Sequence, residues 1–156
     1  MNNVGEHPQV LIRPPLAWAL AVVAGLALDW LVPARFVPAG LPAIAIGAAV
    51  FVLGLALGVW AIVTMLKAGT NVPTNRPVIA MVTRGPYRFT RNPIYVGMLA
   101  GQTGLAIGFD SLWLLLTLVL FFAVLHVGVV RREEAFLARK FGDAYLEYQR
   151  QVRRWV

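Results

Sequence analysis

The sequence predicts an all-α membrane protein, a polytopic bundle of about four transmembrane helices followed by a C-terminal amphipathic cytosolic helix. Of its 156 residues, 59% are hydrophobic and only 13% are charged, which is too apolar for a water-soluble domain of this size. The apolar residues are gathered into four long blocks instead of short periodic runs. We therefore treat residues 1–156 as a single membrane-embedded domain.

The first two predicted spans cover residues 14–32 and 41–66. A helix needs about 20 residues to cross the hydrocarbon core, and both blocks are close to or above that length. Pro33, Pro38 and Gly40 lie between them and predict a short hairpin turn. The polar N-terminal stretch is not typical of a cleavable signal peptide, so we expect the first helix to be retained.

The third and fourth predicted spans cover residues 93–109 and 112–130. Asn92 is a good N-cap and Pro93 suits the first position of the third helix. Asp110-Ser111 predicts a turn and a cap between the two spans. The third span is shorter than ideal, whereas the fourth is almost entirely Leu, Val and Phe.

Glycines recur four residues apart within the spans, the small-xxx-small spacing that lets helix backbones approach closely. The pairs are Gly54 and Gly58, Gly97 and Gly101, and Gly104 and Gly108. The pattern predicts helix packing. A cofactor or lipid lying against bare backbone is the alternative that the same glycines allow.

The basic residues orient the bundle. Most of them follow spans two and four, whereas Arg35 stands alone in the turn after span one. Under the positive-inside rule this distribution places both termini in the cytoplasm. Topology thus explains the formal charge of +7, and we predict no nucleic-acid partner. The chain has no cysteine, which excludes disulfides, thiolate metal sites and a thiol nucleophile.

Few polar residues fall within the predicted spans. Asp29 lies near the end of span one, and we interpret it as a structural residue at the outer interface. His126 lies deep in span four, where we expect it to hydrogen-bond to Gln102 or Thr103. A lone histidine has no second ligand, so no metal site is predicted. Transport is disfavoured because the spans contain no carboxylate pair and no broken inverted repeat.

A dense polar and aromatic run, residues 84–97, surrounds the start of span three. Turn, N-cap and interfacial-anchor roles explain its residues one at a time. They do not explain why three arginines and two tyrosines are packed against a helix N-terminus, which is a favourable place for an anion. The run therefore predicts a binding site for a carboxylate or a phosphate.

A second patterned segment begins directly after span four with Arg131-Arg132-Glu133-Glu134. Apolar and aromatic residues then recur every three or four positions, which predicts an amphipathic helix interrupted near Gly142-Asp143. Its basic outer face is typical of contact with anionic lipid. Because Glu133 and Glu134 are about 100° apart on a helix, we expect one to face a pocket while the other pairs with Arg131 or Arg132.

Together these segments resemble the isoprenylcysteine carboxyl methyltransferase family, whose broader group includes phospholipid N-methyltransferases. The resemblance covers roughly residue 69 to the C-terminus, and the first two spans match only as generic membrane helices. It is carried by Gly85-Pro86-Tyr87-Arg88, Arg91-Asn92-Pro93-Ile94-Tyr95, Glu133-Glu134, and Phe141-Gly142-Asp143-Ala144-Tyr145-Leu146-Glu147-Tyr148. Asn92 stands where the family often has His, so an amide takes the place of an imidazole.

The resemblance implies an integral membrane methyltransferase that binds S-adenosylmethionine on the cytosolic side, in a region formed by residues 69–97 and 131–156. The methyl acceptor would be lipophilic, either a carboxylate or an amine. Glu133 and Glu134 are the candidate catalytic residues, because an amine acceptor needs a base. The implied cofactor-binding residues are Tyr87, Arg91, Asn92, Pro93, Tyr95, Glu133 and Glu134.

Two alternatives stay open. Membrane sterol reductases, which use NADPH, share a related pattern of an Arg-x-Pro-x-Tyr element, an acidic pair and a final aromatic-rich helix. A non-enzymatic membrane scaffold would use the glycines for helix assembly and the basic tail to bind lipid or a partner. The scaffold predicts that Glu134→Gln is tolerated, whereas the methyltransferase predicts that it weakens cofactor binding with little loss of folding.

Overall fold

The computed structural model describes residues 8, 10–72 and 79–156, and within them it contains helices and no strands, which confirms the all-α prediction. Residues 73–78 of the predicted cofactor region lie outside the described residues. The helical elements are α1 (Pro14–Leu31), α2 (Ala43–Lys67), a 3₁₀ turn (Gly85–Arg88), α3 (Pro93–Gly108), α4 (Leu112–Leu125), a π-turn (His126–Val130), α5 (Arg131–Phe141) and α6 (Asp143–Gln151).

Three helices in the described part of the chain are long and apolar enough to cross a membrane, namely α1, α2 and the continuous helix Leu112–Phe141. They confirm a membrane protein. The α3 helix has 16 residues, which gives it a length of roughly 24 Å, shorter than a bilayer core. The number of spans, predicted as four, therefore depends on α3 and stays a prediction.

The fourth predicted span continues beyond its expected end. The sequence predicts that it ends at Val130, but α4, the π-turn and α5 form one helix of 30 residues that ends at Phe141. Ser111 caps its start by accepting a hydrogen bond from the backbone N–H of Leu114, as expected. The π-turn His126–Val130 shifts the helical register of every residue after it, including the two glutamates.

Glycines bring α2 and α3 into backbone contact, which confirms the packing interpretation of the small-xxx-small pattern. A Cβ atom added at Gly54 would lie 2.7 Å from the carbonyl oxygen of Gly97. One added at Gly104 would lie 2.6 Å from the carbonyl oxygen of Gly47. Because side chains do not separate the helices at these points, the N-terminal end of α3 is fixed against the C-terminal half of α2.

Gly104→Ala is expected to lower the stability of the bundle by about 1–3 kcal/mol, because overpacking a tight contact forces backbone shifts. The new Cβ would lie 2.5 Å from the backbone nitrogen of Phe51, an atom that cannot move without separating α2 from α3. Gly58→Ala is the matched control, because a Cβ there meets nothing within 4 Å. Thermal unfolding in detergent, followed by circular dichroism, measures both. Equal unfolding temperatures would contradict the packing argument.

The turns that connect α1 to α2 and α3 to α4 are held together by two carboxylates. Asp110, with φ +50°, accepts hydrogen bonds from the backbone N–H groups of Phe36 (2.9 Å) and Val37 (2.7 Å). Asp29 lies 3.5 Å from Nη1 of Arg35 in an ion pair. Both residues therefore join the α1–α2 connection to its surroundings, which agrees with the structural roles predicted for them.

The prediction that His126 hydrogen-bonds to Gln102 or Thr103 is wrong. Gln102 instead donates from Nε2 to the carbonyl oxygen of Leu114 and to Oγ1 of Thr117, both at 3.2 Å. The His126 ring packs beside Trp155, with ring centroids 6.1 Å apart. The rotation of α4 relative to α3 decides which polar groups meet, and a hydrophobic block does not encode that rotation.

Candidate active site

A cavity of about 140 Å³ lies where the start of α3 meets α5 and α6. All the residues predicted to form the cofactor site line it, so the structure brings together segments that are about 40 residues apart in sequence. Apolar side chains complete part of its wall. The predicted residues are Tyr87, Arg91, Asn92, Pro93, Tyr95, Glu133 and Glu134, and the apolar ones include Met65, Met81, Val82, Ile94 and Leu137.

The first wall is built by the 3₁₀ turn Gly85–Arg88 and the start of α3. Gly85 has φ +62°, a conformation that glycine adopts without strain. Pro93 occupies the first turn of α3, as predicted. The expected capping hydrogen bond from the Asn92 side chain is not formed; its Nδ2 instead donates to the carbonyl oxygen of Arg154 at 2.9 Å. Asn92 therefore joins the start of α3 to the C-terminal segment.

Glu133 lies on the opposite wall, in the first turn of α5. The hydroxyl group of Tyr95 donates a hydrogen bond to its Oε1 at 2.8 Å. Glu133 makes no ion pair with any residue in the described part of the chain. Its carboxylate is thus oriented by one neutral donor and keeps further lone pairs for a ligand.

Glu134 is held by two arginines. Arg154 donates from Nε to both carboxylate oxygens at 3.0 Å and from Nη2 to Oε2 at 2.6 Å. On the other side, Nη1 of Arg91 lies 3.0 Å from Oε1. The expectation that one glutamate pairs with Arg131 or Arg132 is therefore wrong, because arginines distant in sequence reach Glu134 and both glutamates line the cavity.

Arg91 keeps unused hydrogen-bond donors. Its contact with Glu134 has the distance of an ion pair, but neither Nη1 nor Nε makes a hydrogen bond to any described residue. Its side chain is only 11% exposed. A buried guanidinium with unsatisfied N–H groups favours a ligand that supplies an acceptor.

The C-terminal segment, residues 152–156, fixes the loop that carries Arg91. The backbone N–H of Arg91 donates to the carbonyl oxygen of Arg153 at 2.9 Å, and Oγ1 of Thr90 donates to that of Arg154 at 3.2 Å. This contribution was not predicted from the sequence. Arg153 and Arg154 are two of several cations that indicate topology, and no spacing in the sequence distinguishes the arginine that reaches Glu134.

Two further tyrosines, Tyr145 and Tyr148 of α6, line the cavity. The sequence placed them on the amphipathic face and in one of the segments that carry the family resemblance, but not among the implied cofactor-binding residues. The Tyr148 hydroxyl donates to the carbonyl oxygen of Tyr87 at 2.7 Å, which fastens α6 to the 3₁₀ turn. Burial, together with the negative charge of Glu134, raises the pKa of Tyr145 to about 12. Burial also raises the pKa values of Tyr87 and Tyr148 above their usual range. All three are therefore neutral phenols at physiological pH.

This arrangement suits a ligand that carries both signs of charge. Unsatisfied Arg91 donors can bind a carboxylate, and Glu133 can accept hydrogen bonds from an ammonium or hydroxyl group. Neutral tyrosine faces attract cations. Within residues 8, 10–72 and 79–156, no group of three or more His, Cys, Asp and Glu side chains is placed to hold a metal ion.

A family model described as phospholipid methyltransferase matches residues 42–144. The cobalt-zinc-cadmium resistance protein CzcN of Cupriavidus metallidurans is 41% identical over 72 residues, 46% of this chain and 33% of that protein. The nickel-cobalt-cadmium resistance protein NccN of Alcaligenes xylosoxydans xylosoxydans is 36% identical over 70 residues, 45% of this chain and 33% of its own length. The chain thus spans about a third of these two relatives. No solved structure matches it significantly.

Proposed function

Because the chain belongs to the phospholipid methyltransferase family, we propose that it is an S-adenosylmethionine-dependent methyltransferase that acts on a lipophilic acceptor at the cytosolic face of the membrane. The observation that carries the proposal is the cavity in which Arg91 and both glutamates meet tyrosines at the start of α3. The cation bias of the loops supports the cytosolic placement.

The cavity residues fit S-adenosylmethionine. Its amino-acid carboxylate suits the unsatisfied N–H groups of Arg91, which are buried without a hydrogen-bond partner among the described residues. Its ammonium or ribose hydroxyl groups suit Glu133, and its sulfonium suits the faces of Tyr87 and Tyr148. Asn92, Pro93 and Tyr95 would shape the rest of that wall.

S-adenosylmethionine supplies a methyl group already activated by its sulfonium, so the task of the protein is alignment. Met65, Met81 and Leu137 give the cavity apolar surface that excludes water, while the polar wall fixes orientation. Good alignment of two reactants gives effective molarities of about 10⁵ M or more. We infer that the lipophilic acceptor enters laterally from the bilayer.

The two acceptor classes place different demands on the glutamates. A carboxylate acceptor attacks without a base, whereas an amine must first lose a proton. Glu134 is committed to Arg91 and Arg154, whose guanidinium nitrogens lie 3.0 and 2.6 Å from its two oxygens. Glu133, held only by the Tyr95 hydroxyl among the described residues, is therefore the better candidate base.

Binding of S-adenosylhomocysteine tests the proposal. Calorimetric titration of the detergent-purified chain is expected to show saturable binding of this product and none of NADPH. Arg91→Gln is expected to weaken binding about tenfold or more, because a hydrogen bond between charged groups is lost. Arg88→Gln is the matched control, since Arg88 is exposed at the end of the preceding 3₁₀ turn.

Each contrary result favours one of the alternatives. Binding of NADPH alone would favour the sterol-type reductase. Binding of neither compound would favour the non-enzymatic scaffold. Equal losses for Arg91→Gln and Arg88→Gln would place the ligand away from the cavity.

A further inference from the structure

Arg154 contacts the site without being part of the cavity wall. Arg91 and Glu134 both line the cavity, whereas Arg154 does not. Arg154 instead makes three hydrogen bonds to Glu134, at 2.6 to 3.0 Å. A role in holding Glu134, and not in contacting a ligand, follows from this placement.

The charges of the three residues explain why a second arginine matters. Arg91 and Glu134 alone would neutralise each other, and the guanidinium would turn its donors toward the carboxylate. With Arg154 present, the cluster carries one net positive charge. Arg154 takes the hydrogen-bonding directions of Glu134, and Nε and Nη1 of Arg91 are left without hydrogen bonds to any described residue.

We propose that Arg154 is a positioning residue: by occupying Glu134, it leaves the guanidinium of Arg91 available to bind the carboxylate at the amino-acid end of the cosubstrate. This inference rests on the function proposed above, and it assigns a role to a residue outside the cavity.

The backbone around Arg154 keeps this arrangement in register. Its carbonyl oxygen accepts hydrogen bonds from Thr90 and Asn92, the residues on either side of Arg91. The carbonyl oxygen of Arg153 accepts from the backbone N–H of Arg91. The segment that carries the Arg154 side chain therefore also fixes the backbone of Arg91. The backbones from which both guanidinium groups extend to Glu134 are thus held relative to each other.

Two ligands that differ at the amino-acid end provide the test. S-adenosylhomocysteine carries the carboxylate, and 5′-methylthioadenosine has the same adenosine group without it. In the full chain purified in detergent, Arg154→Gln is expected to lower the affinity for S-adenosylhomocysteine about tenfold or more, because Arg91, already 3.0 Å from Glu134, then directs its free N–H donors to the carboxylate oxygens that Arg154 has left. The affinity for 5′-methylthioadenosine should change by less than about twofold. Arg154→Lys keeps the charge with fewer donors and should give a smaller loss with the same selectivity.

Arg153→Gln is the matched control, because the Arg153 side chain is exposed and only its backbone contacts the loop. It should leave both affinities unchanged. Equal losses of both ligands in the Arg154 variants would indicate a merely structural role and overturn the inference, as would unchanged affinity for S-adenosylhomocysteine. If Arg154→Gln does not fold, Arg154→Lys provides the test by the same comparison of the affinity losses for S-adenosylhomocysteine and 5′-methylthioadenosine. Failure of the wild-type chain to bind S-adenosylhomocysteine would instead overturn the proposed function itself.

Discussion

Glu133→Gln is expected to lower the affinity for S-adenosylhomocysteine about 10- to 100-fold while the fold stays intact, because a hydrogen bond to a charged group is worth about 1.5–3 kcal/mol. Glutamine has nearly the same shape, and its carbonyl oxygen can still accept the hydrogen bond that the Tyr95 hydroxyl donates to Oε1. The substitution therefore removes the ionisable group and exchanges one acceptor oxygen for an N–H donor, with little change in shape. Calorimetric titration and thermal unfolding, both in detergent, measure the two quantities.

The same variant distinguishes the two classes of acceptor. With an amine such as phosphatidylethanolamine, loss of the base should lower kcat by a further factor of about 10² or more. With a carboxylate such as farnesylcysteine, only the KM for S-adenosylmethionine should rise. Transfer of a radiolabelled methyl group to each acceptor in mixed micelles gives the kcat and KM values.

Tyr95→Phe is the matched control for Glu133→Gln. It removes the hydroxyl that orients Glu133 but keeps the carboxylate, so its effect should be smaller than that of losing the charge. Wild-type affinity and wild-type turnover in Glu133→Gln would show that this carboxylate does not contact the ligand. A large loss of stability in the same variant would indicate that Glu133 supports the fold instead.

The sequence predicted helix boundaries well where proline or glycine residues mark them. Pro93 begins α3 and glycines lie near its end, so the observed helix Pro93–Gly108 differs by one residue from the predicted range 93–109. The fourth span shows the opposite case. Arg131 ends the apolar block, but an arginine does not end a helix, and α5 continues to Phe141. Hydropathy predicted where the apolar block stops, whereas the helix itself continues until Gly142.

The residues that line the candidate site could be predicted from the sequence, but the residues that hydrogen-bond to them could not. Arg91 and Glu134 carry charge beside apolar spans, and that conflict with the local environment identifies them in the sequence. Arg154 is one of several cations in a basic tail. It reaches Glu134 only because residues 152–156 run beside the N-terminal end of α3, where their backbone accepts hydrogen bonds from Arg91 and Asn92. The position of Tyr145 in the cavity was equally hard to predict, because an aromatic residue on an amphipathic helix can contact either a pocket or lipid.

Glu134→Gln is expected to destabilise the protein by about 3 kcal/mol and to weaken binding of S-adenosylhomocysteine. The Glu134 side chain is 9% exposed and separates two guanidinium groups. Removing its charge leaves Arg91 and Arg154 in like-charge proximity, and breaking a buried pair typically costs about 3–5 kcal/mol. The lower end applies because Arg154 is 36% exposed and keeps part of its hydration. The sequence alone predicted little loss of folding, and these contacts revise that expectation.

Glu147→Gln is the matched control, because Glu147 pairs with Arg150 at 2.8 Å on the exposed surface of α6. Such an exposed pair is screened by solvent and contributes little to stability, so the control should unfold close to the wild-type temperature. Thermal unfolding in detergent compares the two variants. If Glu134→Gln were as stable as Glu147→Gln, Arg91 and Arg154 would not depend on the shared carboxylate. The Glu133→Gln variant completes the comparison. If Glu133→Gln loses affinity but keeps its stability, while Glu134→Gln loses both, Glu133 contacts the ligand and Glu134 holds the site together.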